Sequence, residues 1–178
     1  MSLALPENLT DTVIAIRHLA DRDAEPFAAG TTDTAVRRFA HLPTPHYTAE
    51  IVREQIRGVI ADGLREGNLA VLAIADAADD RFLGSITVFD IRGTSAEVGF
   101  WLTPAARGRG ATRRALDLVA AWTRDHGITT LRARTEDTNT ASQQALERAG
   151  FRHVAGPTPE ISPSGETING LTYHRDLA

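Results

Sequence analysis

The sequence contains no cysteine and no lysine, since all 19 of its Lys/Arg positions are arginine. Without cysteine there can be no disulfide, no thiolate nucleophile and no cysteine-ligated metal. Without lysine, Schiff-base catalysis and a lysine-dependent P-loop are excluded as well. Any chemistry must therefore come from carboxylates, hydroxyls, histidines, arginines and backbone amides.

Long hydrophobic runs are also absent. No apolar stretch approaches the roughly 20 residues that a membrane-spanning helix needs. Residues 1–6 lack the basic and apolar segments of a signal peptide, so we expect a cytoplasmic protein with no membrane partner. The net charge of −4 and the lack of a basic, aromatic stripe argue against nucleic acid as a partner. The six histidines show no metal-ligand spacing, and we expect no metal site.

The size and composition are those of one globular domain over residues 1–178. Hydrophobic residues make up 42% of the chain and charged residues 24%, which is typical of a folded protein with a substantial core. We find no internal repeat and no linker that would divide the chain into two domains.

The order of the hydrophobic patterns predicts a mixed sheet with helices on its faces. Apolar runs joined by short turns predict antiparallel strands over 69–75, 82–90 and 95–102. A helix that follows residue 110 and stops near Gly127 leads to a strand over 131–135, which should lie parallel to 95–102. The remaining patterns predict strands at 13–16, 152–155 and 171–177, and helices at 19–27, after Thr48 and at 140–149.

A glycine-rich turn at 107–112 separates the strand over 95–102 from the helix that follows it. The first N–H groups of a helix have no internal partner and lie at the positive end of its dipole, so they suit a diphosphate. Gly108 and Gly110 allow close approach of the backbone, and arginines at 107, 109, 113 and 114 add positive charge. The alternative is a helix start with ordinary turn glycines. The Rossmann pattern does not fit, because its third glycine is missing.

The stretches 96–102, 107–112, 139–142 and 149–151 resemble the GNAT superfamily of acetyl-CoA-dependent N-acetyltransferases. Their order and spacing are similar to the branch that contains the RimJ/RimL ribosomal-protein N-terminal acetyltransferases. The resemblance implies a mostly antiparallel sheet with one splayed parallel strand pair, helices on both faces, and acetyl-CoA as acyl donor. Arg107 and Gly110 match the family's pyrophosphate motif, whereas Thr112 occupies a position where Gly or Ala is usual. The cofactor-binding residues implied are Phe100, Trp101, Leu102, Arg107, Gly108, Arg109, Gly110, Ala111, Thr112, Asn139 and Ser142.

Acetyl transfer to an amine needs a base that removes a proton and a donor for the leaving thiolate. Glu97 is the candidate base, because strand alternation places it on one face with Gly99 and Trp101, where the glycine leaves room for an amine. The alternative is an edge-of-sheet carboxylate paired with an arginine. By the family's Asn-x-x-Ser spacing, Ser142 is the candidate donor. Its alternative role is a plain hydroxyl at a helix start.

The acceptor is expected to be a primary amine that attacks directly, on either a protein N-terminus or a small molecule. His41, His46 and Tyr47 lie in a proline-rich loop that either borders the acceptor pocket or forms a variable surface. Glu136 and Asp137 are interpreted as favourable charges near a helix start. A non-catalytic acyl-CoA-binding regulatory module is the alternative function, and a homodimer is left open.

Overall fold

The computed structural model describes Ala4, residues 9–162 and residues 165–177. Residues 1–6, which carry the signal-peptide argument, lie outside the described residues except for Ala4. The strands are β1 Ile14–His18, β2 Ala70–Asp76, β3 Phe82–Arg92, β4 Ser95–Leu102, β5 Thr130–Glu136, β6 Arg152–Ile161 and β7 Thr167–Asp176. The α-helices are α1 Ala24–Gly30, α2 Thr34–Phe39, α3 Ala49–Gln55, α4 Ala61–Glu66, α5 Ala111–Asp125 and α6 Thr140–Arg148.

The seven strands form one sheet in the order β1-β2-β3-β4-β5-β7-β6. The neighbours are antiparallel except for β4 and β5, which are parallel and joined through α5. This confirms the predicted mixed, mostly antiparallel sheet and its single parallel pair. The parallel pairing covers only residues 95–97 of β4 and 130–132 of β5.

Two apolar layers hold the helices on opposite faces of the sheet. The main core packs α5 and α6, through side chains such as Leu116 and Leu146, against one face. The second core packs α1 and α3, through Phe27 and Val52, against the other. Alternation along β4 follows the expected pattern, because Leu102 enters the main core and Trp101 the second.

Several helix ends follow the chemistry expected of their residues. Thr48 caps α3 by accepting from the Ile51 amide at 3.2 Å, and Asn139 caps α6 by accepting from the Ser142 amide at 3.1 Å. Gly127 follows α5 with φ of +86°, a left-handed conformation that ends a helix readily. No helix within the described ranges has the length and apolarity required to cross a membrane.

The structure differs from the predicted elements in three places. The α-helix expected at 19–27 begins at Ala24, after a 3₁₀ turn over Asp21–Asp23 in which the Asp23 carboxylate accepts from the Ala20 amide and pairs with Arg17. The six-residue helix α2 was not predicted, since so short an element shows no helical period. β6 continues to residue 161 through Pro157 and Pro159, which an edge strand tolerates because its outer amides need no partner.

Candidate active site

The turn that follows β4 presents backbone amides rather than a capped helix start. Gly108 and Gly110 have φ of +75° and +76°, and Gly110 is the N-cap residue of α5. Glycine has no side chain with which to cap, and the first bond of the helix runs from the Arg114 amide to the Gly110 carbonyl at 3.2 Å. The amides of residues 111–113 therefore have no acceptor among the described residues.

The arginines of this turn are mostly engaged by carboxylates. Arg107 pairs with Asp33 at the start of α2 and also donates to the Leu102 carbonyl at 3.0 Å. Arg114 pairs with Asp11 at 2.6 Å. Arg113 lies 3.6 Å from Asp117, one turn along α5. Arg109 is exposed and has no carboxylate partner in the part of the chain that the structure describes. The charge available to an anion is thus smaller than four arginines suggest.

A gap opens between β4 and β5 beside this turn. Beyond residue 97 the edge of β4 is no longer paired with β5, although β4 continues to Leu102 and β5 to Glu136. Each strand remains paired on its other side, β4 with β3 and β5 with β7. Apart from the Leu102 carbonyl, which accepts from Arg107, the backbone groups of residues 98–102 that face β5 have no strand partner among the described residues. They can pair with an extended ligand, as the splayed strand pair of the resemblance implies.

The side chains of the last three β4 residues do not share one environment. Trp101 packs edge-on against Phe27, with ring centroids 5.0 Å apart, and Leu102 lies in the main core. Phe100 is half-buried and packs against the same core. The side chains of Trp101 and Leu102 therefore do not line the gap, and of the two residues only Leu102 faces it with its backbone.

Ser142 lies in the first turn of α6, directly after the chain leaves the open end of β5. The Asn139 cap fixes this turn, and the Ser142 side chain is half-buried. Its hydroxyl makes no hydrogen bond with any described residue. A hydroxyl in this position can both donate and accept a hydrogen bond.

Glu97 is buried in the sheet and binds an arginine. Its side chain is 8% exposed, and its Oε1 accepts from Nε of Arg134 at 2.8 Å. Nη1 of Arg134 also lies 3.7 Å from Glu160 on β6. Burial opposes the charge of Arg134, but the hydrogen bond and charge of Glu97 outweigh it and raise the pKa of the guanidinium. The alternative role of Glu97, a carboxylate paired with an arginine, is thus observed. The pair lies in the centre of the sheet rather than at its edge.

The proline-rich loop meets the open end of β5. Nε2 of His41 lies 2.8 Å from Oε1 of Glu136, and both side chains are largely buried. Glu136 thus fastens this loop, and it also lies three residues before Asn139, the N-cap of α6. The loop also walls a pocket of about 250 Å³, lined by Thr31, Thr32, Val36, Arg37, His41, Leu42, Thr44, Pro45, His46 and Tyr47.

Three residues near the site could not be identified from the sequence. Asp33, Arg37 and Glu160 match no motif, and they reach the site through the unpredicted helix α2 and the extended β6. Their positions depend on tertiary packing alone. No cluster of three potential metal-ligating side chains occurs within the described residues.

Comparison with known proteins agrees with this geometry. Residues 14–152 match the family model of the acetyltransferase (GNAT) domain. A search of curated protein sequences found no match.

Solved structures share the fold at low sequence identity. RimJ of Mycobacterium smegmatis, in complex with CoA-disulfide, is 18% identical with a TM-score of 0.79, over 92% of this chain and 81% of that one. A Salmonella typhimurium acetyltransferase that modifies the N-terminal serine of a 50S ribosomal protein is 16% identical with a TM-score of 0.78, over 96% and 98%. The microcin C7 immunity acetyltransferase MccE, in complex with acetyl-CoA and AMP, is 16% identical with a TM-score of 0.81, over 97% of each chain. With its family model matched over most of its length, the chain belongs to the GNAT acetyltransferase family.

Proposed function

We propose that the protein transfers the acetyl group of acetyl-CoA to a primary amine. The observation that carries the proposal is the run of unpaired amides at the start of α5, beside the gap between β4 and β5. Two structural neighbours are in complex with CoA-disulfide or acetyl-CoA, which supports the choice of ligand.

The turn and the gap suit different parts of coenzyme A. The amides of residues 108–112 bind the diphosphate. Of the four arginines around this turn, Arg109 adds the charge that has no carboxylate partner among the described residues. The backbone groups of Phe100 and Leu102 that face the gap pair with the amide groups of the pantetheine arm. Asn139 is half-buried at the open end of β5 and contacts the same arm while it caps α6.

The transfer forms a C–N bond at the thioester carbonyl and breaks its C–S bond. Acetyl-CoA supplies the acetyl group as a thioester. Glu97 takes the proton from the amine, directly or through a water, by its oxygen that is not bound to Arg134. Ser142 donates a hydrogen bond or proton to the leaving thiolate. The acceptor is a protein N-terminus or a small-molecule amine.

CoA release over a panel of amines tests the proposal. The chain has no cysteine, so a thiol reagent reports released CoA without a protein background. We expect Glu97→Gln and Ser142→Ala each to lower kcat by about 10²- to 10⁴-fold, the usual range for acid–base groups. Asp90→Asn is the matched control, because Asp90 binds the β5 residue Arg132 at 2.7 Å and has no proposed role. It should keep kcat within a few-fold.

Two results would contradict the proposal. If calorimetry detects no binding of CoA or acetyl-CoA, the assignment of the turn is wrong. Binding without release from any amine, with no effect of the Glu97 and Ser142 variants, would instead favour a non-catalytic acyl-CoA-binding module.

A further inference from the structure

We infer that the acceptor carries a carboxylate close to its reacting amine, and that Arg37 in the 31–47 pocket selects for it. The inference rests on the proposed function, since it names the class of amine that the same site accepts. The 31–47 pocket is the 250 Å³ cavity walled by the end of α1, helix α2 and the proline-rich loop.

The 31–47 pocket lies against both strands that bound the gap. His41 in its wall contacts Glu136 at the end of β5. Tyr47 contacts Phe27, with ring centroids 5.5 Å apart, and Phe27 contacts Trp101 on β4. A group seated in the 31–47 pocket therefore lies near the open end of the gap, towards Glu136 on β5 and Trp101 on β4, and the proposed transfer takes place in this gap.

Among the described residues, the wall of this pocket contains no carboxylate. Its ten lining residues include Arg37 and two histidines but no Asp or Glu, in a chain whose net charge is −4. The nearest carboxylates along the chain and across the loop are already bound, Asp33 by Arg107 and Glu136 by His41. A polycationic amine would find no free anionic partner among these described residues.

Arg37 is the charge in this wall that has no ion-pair partner. Arg107 and Arg114 each pair with a carboxylate, whereas Arg37 is exposed and has none within the residues that the structure describes. A guanidinium presents a planar fork of donors that matches a carboxylate. The adjacent Arg38 lies over the Phe39 ring, 5.0 Å from its centroid, and does not line the pocket.

The size of the pocket favours a compact group. Its volume of about 250 Å³ lies just under the ~300–1,000 Å³ that is usual for drug-sized ligands. Threonine hydroxyls and apolar side chains make up the rest of the wall. The pocket thus suits the carboxylate of one amino acid, or an acidic side chain next to a peptide N-terminus.

Matched acceptor pairs test the inference and separate these two sources. One arm compares L-alanine with L-alaninamide, and the other compares two N-terminally free, C-terminally amidated tripeptides that differ only by aspartate or asparagine at the second position. Spermidine serves as the polycationic acceptor. In at least one arm we expect the carboxylate member to have a kcat/KM about 10- to 100-fold higher, the range for a hydrogen bond to a charged group.

Arg37→Gln should bring that ratio close to one by raising KM for the carboxylate member with kcat unchanged, because the contact is the same in ground and transition states. The charge reversal Arg37→Glu should invert the ratio. Arg38→Gln is the matched control and should leave it unchanged. A preference for spermidine, or a carboxylate preference that survives Arg37→Gln, would overturn the inference while the proposed function stood. If none of these amines led to CoA release, both the inference and the proposed function would be contradicted.

Discussion

Gly110 is glycine because of its backbone conformation and not because of crowding. A Cβ at this position would meet no atom within 4 Å, yet φ is +76°, a left-handed value that β-branched residues avoid. The same conformation turns the amides of the following residues outward at the start of α5. The backbone conformation that requires glycine at position 110 is thus also the one that forms the proposed diphosphate site.

Gly110→Val should destabilise the fold by about 1–3 kcal/mol and weaken CoA binding at least tenfold, because the strained residue shifts the amides that follow it. Gly93→Val is the control. Gly93 has φ of +59° in the turn at the opposite end of β4, also with nothing within 4 Å. Gly93→Val should lower the free energy of unfolding by a similar amount and leave the affinity for CoA unchanged, as measured by thermal unfolding and calorimetry. Equal losses of affinity in the two variants would contradict a specific role for the turn.

Arg107 binds the protein rather than an anion, because its hydrogen-bond partners among the described residues are the Asp33 carboxylate and the Leu102 carbonyl. Arg107→Gln should therefore weaken CoA binding less than Gly110→Val. It should also raise the pKa of Asp33, since the Arg107 hydrogen bond is the main cause that holds this pKa low. An NMR titration of the Asp33 carboxyl would measure the shift. A loss of CoA affinity as large as that of Gly110→Val would show that the guanidinium binds the diphosphate itself.

At the scale of elements, the N-cap residues of α3 and α6 allow a role in folding to be distinguished from a role in cofactor binding. Asn139 and Thr48 each accept from an amide three residues later, at 3.1 and 3.2 Å. Only Asn139 lies at the open end of β5. The two caps are therefore a matched pair of similar structure and different position.

Asn139→Ala and Thr48→Ala should each cost about 1 kcal/mol of stability, because each removes one capping hydrogen bond. Only Asn139→Ala should also lower the affinity for CoA. Urea unfolding gives the first quantity and calorimetry the second. If both variants bound CoA like the unchanged protein, Asn139 would be a cap and nothing more.

The elements on the cofactor side could be predicted from sequence because their signals are local. The crossover from β4 through α5 to β5 is marked by a strand pattern, two glycines, a helical period and the stop at Gly127. The Gly150 left-handed turn is equally local, with the Phe151 amide bonded to the Leu146 carbonyl at 3.0 Å.

The acceptor side could not be predicted in the same way. Helix α2 is too short for a periodic signal, and Arg37 lines the pocket because α2 packs through Val36 into the second core. The pairing of Glu97 with Arg134 depends on the β4–β5 register, which no local pattern specifies. Contacts between distant segments decide this half of the site.

At the scale of the whole molecule, carboxylate–arginine pairs fasten distant segments to one another. Asp33 joins α2 to the turn before α5, and Asp80 joins the β2–β3 turn to Arg17 on β1. The hydrogen bond from the arginine is in each case the main cause that lowers the pKa of the aspartate. The folded protein therefore binds fewer protons at these sites than the unfolded chain does in the same acidic range.

This difference gives the stability a pH dependence of defined sign. Both aspartates have a folded-state pKa below the unfolded value of about 3.9, so their contribution is complete above that value and is lost as the pH falls through the lowered pKa. Removing both carboxylates should therefore reduce stability at pH 7 and flatten its decline towards pH 2.

The double variant Asp33→Asn/Asp80→Asn tests this expectation with little change of shape. Asparagine remains a good N-cap at position 33 and tolerates the positive φ of +60° at position 80. Urea midpoints from pH 7 to pH 2 should start lower than those of the unchanged protein and converge with them in acid. Asp137→Asn removes an exposed carboxylate with no ion pair among the described residues and should leave the curve in place. Parallel curves for the double variant and the unchanged protein would mean that acid lowers the stability through other groups and not through these two aspartates.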